Sequence, residues 1–98
     1  MYEIKLSKDS EKFLKKCHSI MKEDLKKQLR VLQNVPRKQG SSLVGEFKGY
    51  YRIELFHNRV EYRAIYEVDD IDMIVFVLLI DKRGQVYERG KGKKFAKH

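Results

Sequence analysis

Residues 50–87 read YYRIELFHNRVEYRAIYEVDDIDMIVFVLLIDKRGQVY, and this stretch decides the fold. It holds three strand-like runs, Tyr50–Phe56, Val60–Val68 and Met73–Ile80, rich in β-branched, aromatic and aliphatic residues. Polar turn segments separate them: His57-Asn58-Arg59, then Asp69-Asp70. The third run is eight consecutive apolar residues, the pattern of a strand covered on both faces, so it is expected in the middle of a sheet.

The first two runs form a hairpin. A two-residue turn at Asn58-Arg59 or a four-residue loop over 57–60 gives the same pairing: Arg52 opposite Ile65, Glu54 opposite Arg63, Phe56 opposite Glu61. Side chains alternate across a strand, so Arg52, Glu54, Arg63 and Ile65 share one face. Tyr51, Ile53, Leu55, Tyr62, Ala64 and Tyr66 share the other, which is the natural floor of a core. A slip of one residue would break both groupings. Beyond the third run come Lys82-Arg83 and, four residues after Arg83, Tyr87. Cations gathered with a carboxylate and a phenol suit a phosphate-bearing substrate. Glu54 is expected to pair across the strands with Arg63.

Outward from this stretch, Tyr2–Leu6 alternates as a short strand. Ser7 reads as an N-cap, with Asp9 and Glu11 in the first turn of the helix that follows. Phe13, Leu14 and Cys17 recur at helical spacing, which makes Cys17 a core residue rather than a reactive thiol. His18-Ser19 marks a break, and a second helix over 22–34 carries Leu25, Leu29 and Leu32 as its apolar stripe until Pro36 prevents continuation. Residues 36–42 read as a basic loop and Leu43–Phe47 as a short strand. After Tyr87, the segment 88–98 carries five Lys/Arg against one Glu and is expected to be a basic tail with little fixed structure. The order is β-α-α-β-β-β: an α+β fold with an N-terminal strand and a helical hairpin on one face of an antiparallel sheet of three to four strands.

Ninety-eight residues make one domain with a single modest core, here 1–87. A net charge of +8 attracts polyanions. The lone Cys17 excludes a disulfide framework and a cysteine zinc site and fits a reducing compartment. No apolar signal core or membrane-length run is present, so the expectation is a cytoplasmic protein without membrane contact. No histidines or carboxylates have metal-ligand spacing, so neither metal nor cofactor is expected. His57 falls in the hairpin turn with no visible partner, which argues against a catalytic role.

Gly49-Tyr50-Tyr51-Arg52-Ile53, then residues 61–68 (EYRAIYEV), then Ile80-Asp81-Lys82-Arg83 followed by Tyr87 resemble the RelE/ParE superfamily of toxins from toxin–antitoxin pairs, over nearly the whole chain. The resemblance is closest to the RelE branch. It implies a ribosome-dependent endoribonuclease that cuts messenger RNA in the ribosomal A site by attack of a 2′-hydroxyl on the adjacent phosphate. Arg63 and Arg83 match the phosphate-stabilising and leaving-group positions, Tyr87 the tyrosine that stacks on or orients the nucleotide, and Arg52 the first of two cationic positions on its strand. Glu54 stands where the RelE type has lysine, and it is a candidate general base. Lys48, Lys82, Arg89 and Lys91 flank these positions as candidate RNA-binding cations. The alternatives are a ParE-like, non-enzymatic inhibitor of DNA gyrase and a catalytically weakened RelE homologue. Either way the resemblance implies a cognate antitoxin, acidic to match the +8 charge, in a toxin–antitoxin hetero-oligomer.

Overall fold

A computed structural model describes residues 1–91. The elements run β1 (Glu3–Leu6), α1 (Lys8–Lys16), α2 (Ser19–Leu29), a 3-10 turn at Arg30–Gln33, α3 (Pro36–Gln39), β2 (Ser41–Ser42), a 3-10 turn at Gly45–Phe47, β3 (Tyr51–His57), β4 (Val60–Asp69), β5 (Ile74–Lys82) and α4 (Val86–Gly90). The sheet has five strands in the order β1-β5-β4-β3-β2. β5 is interior, as its apolar run requires. β1 lies parallel to β5, whereas every other pairing is antiparallel. The four strands β2–β5 form the expected antiparallel sheet, and the expected N-terminal strand, β1, joins its edge in parallel, which makes the sheet mixed.

Local chemistry explains the helix boundaries. Ser7 caps α1 by accepting from the Ser10 N–H at 3.0 Å, and its own hydroxyl donates to the Leu78 carbonyl on β5. Buried Ser10 donates to the Val77 carbonyl at 2.9 Å, so the one buried polar side chain of the helix is satisfied and ties it to the sheet. α1 ends where Cys17 turns extended, and the Cys17 thiol donates to the Phe13 carbonyl. Burial pushes that thiol's pKa up, away from a reactive thiolate. α2 starts earlier than the sequence suggests and tightens into the 3-10 turn that still buries Leu32.

Two connections depart from the expected reading. The basic segment after Val35 is a single helical turn rather than a loop, because Pro36 sits in its first turn, where a missing N–H costs nothing. Leu43–Phe47 is not a strand. The short strand falls instead at Ser41–Ser42, and Gly45, at φ +67°, turns the chain into a 3-10 turn. Gly40 passes so close to β3 that an added Cβ would lie 2.1 Å from the Arg52 carbonyl oxygen.

The β3–β4 hairpin has the anticipated register, Arg52 opposite Ile65, Glu54 opposite Arg63 and Phe56 opposite Glu61. Its turn is the two-residue Asn58-Arg59, both with positive φ (47° and 66°), as a tight hairpin requires. A register shift between Ile65 and Tyr66 on the β5 side inserts Leu78 as an extra residue. The alternation of β5 flips there. Val75 and Val77 face the helices with Ile80, while Leu79 turns to the opposite face.

The main core packs Leu14, Leu25, Leu29 and Leu32 of the helical layer on Ile53, Leu55, Tyr62, Ala64, Tyr66, Val75, Val77 and Ile80. Each fully buried aliphatic side chain contributes about 1.5–3 kcal/mol. Tyr66 donates to the Pro36 carbonyl at 2.6 Å, and burial pushes its phenol up to about 12. On the far face Ile65, Leu79 and Val86 form a smaller cluster with Leu43, Phe47, Tyr50 and Tyr87 around it. α4 spans the boundary at which the basic tail was expected, so residues 88–90 are helical. The rest of that tail, 92–98, lies outside the described residues. Among the described residues no helix is long and apolar enough to cross a membrane.

Candidate functional site

The far face of the sheet carries the polar cluster. β3 presents Arg52 and Glu54, and β4 presents Arg63 and Glu61. α4, held by buried Val86, lowers Tyr87 onto them. Arg52 Nη1 and Arg63 Nη1 each donate to the Tyr87 hydroxyl oxygen at 3.3 Å. Two guanidinium groups from neighbouring strands thus converge on one phenol. Arg63 Cζ also lies 5.9 Å from the centre of the Tyr87 ring, and Phe47 meets the same ring in an edge contact at 5.7 Å.

The carboxylates pair along the strands and not across them. Arg63 Nε donates to Glu61 Oε2 at 2.8 Å, whereas Glu54 Oε1 lies 3.5 Å from Arg52 Nε. The expected Glu54–Arg63 pair is absent although the two residues are opposite each other, because Glu61, two residues earlier on the same strand and face, already occupies Arg63. Burial alone would lower the pKa of Arg63, but the bonds to Glu61 and Tyr87 outweigh it, so the cation is held more firmly than usual. Arg52 Nε is buried and makes no hydrogen bond.

Arg83 lies just past β5. Its N–H donates to the Glu61 carbonyl at 3.1 Å, which continues the β4–β5 pairing and sets the residue beside the Glu61–Arg63 pair. Its side chain is exposed and pairs with no described residue. Lys48, Lys82 and Lys91 are also exposed. Arg89, expected among the RNA-binding cations, is already paired within the fold. It donates to Asp81 Oδ2 at 2.7 Å and to the Ile80 carbonyl, and it forms a short ion pair with Asp9 of α1. It therefore fastens α4 to the sheet and to α1, with its charge offset by two carboxylates.

His57 is also placed differently from the expectation. It ends β3 with its Nδ1 2.7 Å from Asp24 Oδ2 on α2, remote in sequence and on the helix side of the hairpin. Glu61 and Phe47 are members of the cluster that sequence reasoning missed. Glu61 had a signal, its i, i+2 spacing from Arg63. Phe47 has none, since it arrives through a 3-10 turn where the sequence pattern suggests a strand. Among the described residues no three His, Cys, Asp or Glu side chains group as a metal site.

A small mixed sheet backed by a helical hairpin, with arginines and a tyrosine on its open face, is the architecture of the RelE/ParE superfamily of toxins. The model of the ParE toxin of type II toxin–antitoxin systems, parDE, matches residues 4–87, and the chain belongs to that family. It is similar to the isolated E. coli RelE toxin, with 30% identity and a TM-score of 0.69 over 92% of this chain and 95% of that one. The toxin in the intact E. coli RelBE toxin–antitoxin complex is likewise 30% identical, with a TM-score of 0.68 over 84% and 96% of the two chains. An archaeal RelE–RelB complex from Pyrococcus horikoshii shares the fold at 20% identity, with a TM-score of 0.58 over 87% and 98%. A search of curated proteins returns no match.

Proposed function

We propose that this toxin is a ribosome-dependent endoribonuclease that cleaves messenger RNA in the A site and so stops translation. The observation that carries the reading is the convergence of Arg52 and Arg63 on the Tyr87 hydroxyl, beside the unpaired Arg83. At 3.3 Å the two bonds to the phenol are long and weak. A charged phosphate oxygen accepts from the same donors more strongly and displaces the phenol at little cost. Arg52 and Arg63 then hold the non-bridging oxygens as charge builds on phosphorus, a contribution of about 3 kcal/mol per donor. The 2′-hydroxyl oxygen attacks, the P–O5′ bond breaks, and the products are a 2′,3′-cyclic phosphate and a 5′-hydroxyl. Arg83 stabilises the departing oxygen, which takes a proton from water to become the 5′-hydroxyl, and Tyr87 orients the nucleotide. Glu54 takes the 2′-hydroxyl proton, because Glu61 is committed to Arg63 at 2.8 Å while Glu54 stands 3.5 Å from its nearest cation. Lys48, Lys82 and Lys91 add favourable charge along the RNA path.

The partner in this reading is a cognate acidic antitoxin that covers the cationic face in a toxin–antitoxin complex. Support comes from the +8 charge and from the similar E. coli toxin, which occurs in a complex with its antitoxin.

Incubation with programmed ribosomes, with cuts mapped by primer extension, tests the activity. Cuts at the decoding site are expected from the wild type, and a loss of 10²-fold or more, about 2.7 kcal/mol, from folded Arg63→Ala or Arg83→Ala. The match to the ParE model favours a second reading, non-enzymatic inhibition of DNA gyrase. Intact message together with blocked DNA supercoiling would establish it instead.

A further inference from the structure

We propose that Phe56 is a nucleobase-stacking residue that extends the cationic site by one aromatic platform and sets base preference beside the cut. This rests on the RNA-cleaving reading above. Phe56 is the only exposed aromatic side chain among the described residues, with 56% of its surface open to water. Strand alternation puts it on the face of Arg52 and Glu54, about 7 Å beyond Glu54. Directly opposite it is Glu61, which anchors Arg63, and the Glu61 carbonyl in turn receives the Arg83 N–H. One row from β3 across β4 to the residue just past β5 therefore reads aromatic ring, anchoring carboxylate, exposed guanidinium. Tyr87 closes the other end of the arginine pair. A base and a phosphate of one unpaired strand need that alternation of π-face and cation.

The backbone that carries the ring is also held in place. β2 pairs only with Tyr51 and Arg52, so nothing in the sheet covers the outer edge of β3 at Phe56. The Gln28 side chain on α2 does so: its amide donates to the Phe56 carbonyl at 2.7 Å and accepts from the Phe56 N–H at 2.9 Å. The neighbouring His57–Asp24 contact pins the same hairpin end. A protein-docking surface would merge Phe56 with another exposed apolar side chain. Val60, the nearest such residue on β4, alternates to the opposite face from Glu61, so it does not merge with Phe56.

The sequence contains no tryptophan, so Phe56→Trp creates a single fluorophore at the site. Its emission is followed during titration with a short single-stranded oligoribonucleotide, alongside the anisotropy of the same RNA carrying an end label. Quenching that tracks binding is expected. On programmed ribosomes, Phe56→Ala is expected to lower kcat/KM about tenfold and flatten base preference next to the cut, with Phe56→Tyr retaining both. RNA binding without quenching, together with an unchanged Phe56→Ala cut pattern, overturns the stacking role and leaves the nuclease standing. If free RNA does not bind, the ribosomal cut pattern decides alone. A wild type that neither binds nor cuts RNA overturns both.

Discussion

The Tyr87 hydroxyl is the one acceptor that both arginines share, and it separates position from charge. Tyr87→Phe keeps the ring, its edge contact with Phe47 and its cation–π contact with Arg63, and deletes only the shared acceptor. If the phenol orients the guanidinium groups and the nucleotide, single-turnover cleavage on ribosomes falls about 10- to 100-fold with an unchanged melting temperature. A wild-type rate in a folded Tyr87→Phe protein would remove the hydroxyl from the mechanism. Much of this face was legible in the sequence. Period-two alternation put Arg52, Glu54 and Arg63 together, and the two-residue turn set their register. The ion-pair partners were not legible. Whether a carboxylate reaches across the strand or along it depends on side-chain rotamers and on which cation is already occupied. His57 and Asp24 are 33 residues apart and meet only because α2 packs on the hairpin.

At the scale of elements, α4 is the piece on which the site depends most and which the sequence signalled least. Its five residues are too short to hold a helix alone, so its position comes from contacts. Val86 is buried in the small far-face cluster, and Arg89 bridges Asp81 of β5 and Asp9 of α1. A composition rich in lysine and glycine concealed those contacts, since partners 80 residues away leave no local pattern. The parallel β1–β5 pairing was hidden for the same reason, whereas the interior place of β5 was plain from its apolar run. Arg89 thus offers a test that separates holding α4 from binding RNA. Arg89→Ala is expected to lower cleavage by at least tenfold through loss of the Tyr87 position. The salt dependence of RNA association should keep its slope, because no phosphate contact is lost. A shallower slope by about one unit, with Tyr87 still protected from solvent, would mark Arg89 as a phosphate ligand instead.

Across the whole molecule, one carboxylate ties the N-terminus, the helical layer and the β4–β5 turn together. Asp70 accepts from the Tyr2 hydroxyl at 2.6 Å and from Arg37 at 2.5 Å, while Arg37 also donates to Tyr51 and lies over its ring. The Tyr2 bond, then the Arg37 bond, hold the Asp70 carboxyl below the usual aspartate range. The bond to His57 does the same for Asp24. A carboxyl with a depressed folded pKa binds its proton more readily once the chain unfolds. Its contribution is therefore complete above about pH 4 and is lost as pH falls through the lower folded value. The phenols work in the opposite sense. Tyr2 is raised chiefly by its bond to Asp70, and Tyr66 is pushed up to about 12 by burial. Their contributions are complete below about pH 10 and are lost as pH rises through the folded values. Thermal unfolding from pH 2 to 11 should show a plateau between those limits and a decline on either side. The acid decline is steepened by mounting self-repulsion in a chain that is already +8 at neutrality. Asp70→Asn should lower the plateau and make the acid arm shallower while leaving the alkaline loss from Tyr66 in place. An acid arm as steep in Asp70→Asn as in the wild type would mean that other carboxylates govern acid unfolding and that the Tyr2–Asp70–Arg37 tie contributes little to closing the fold.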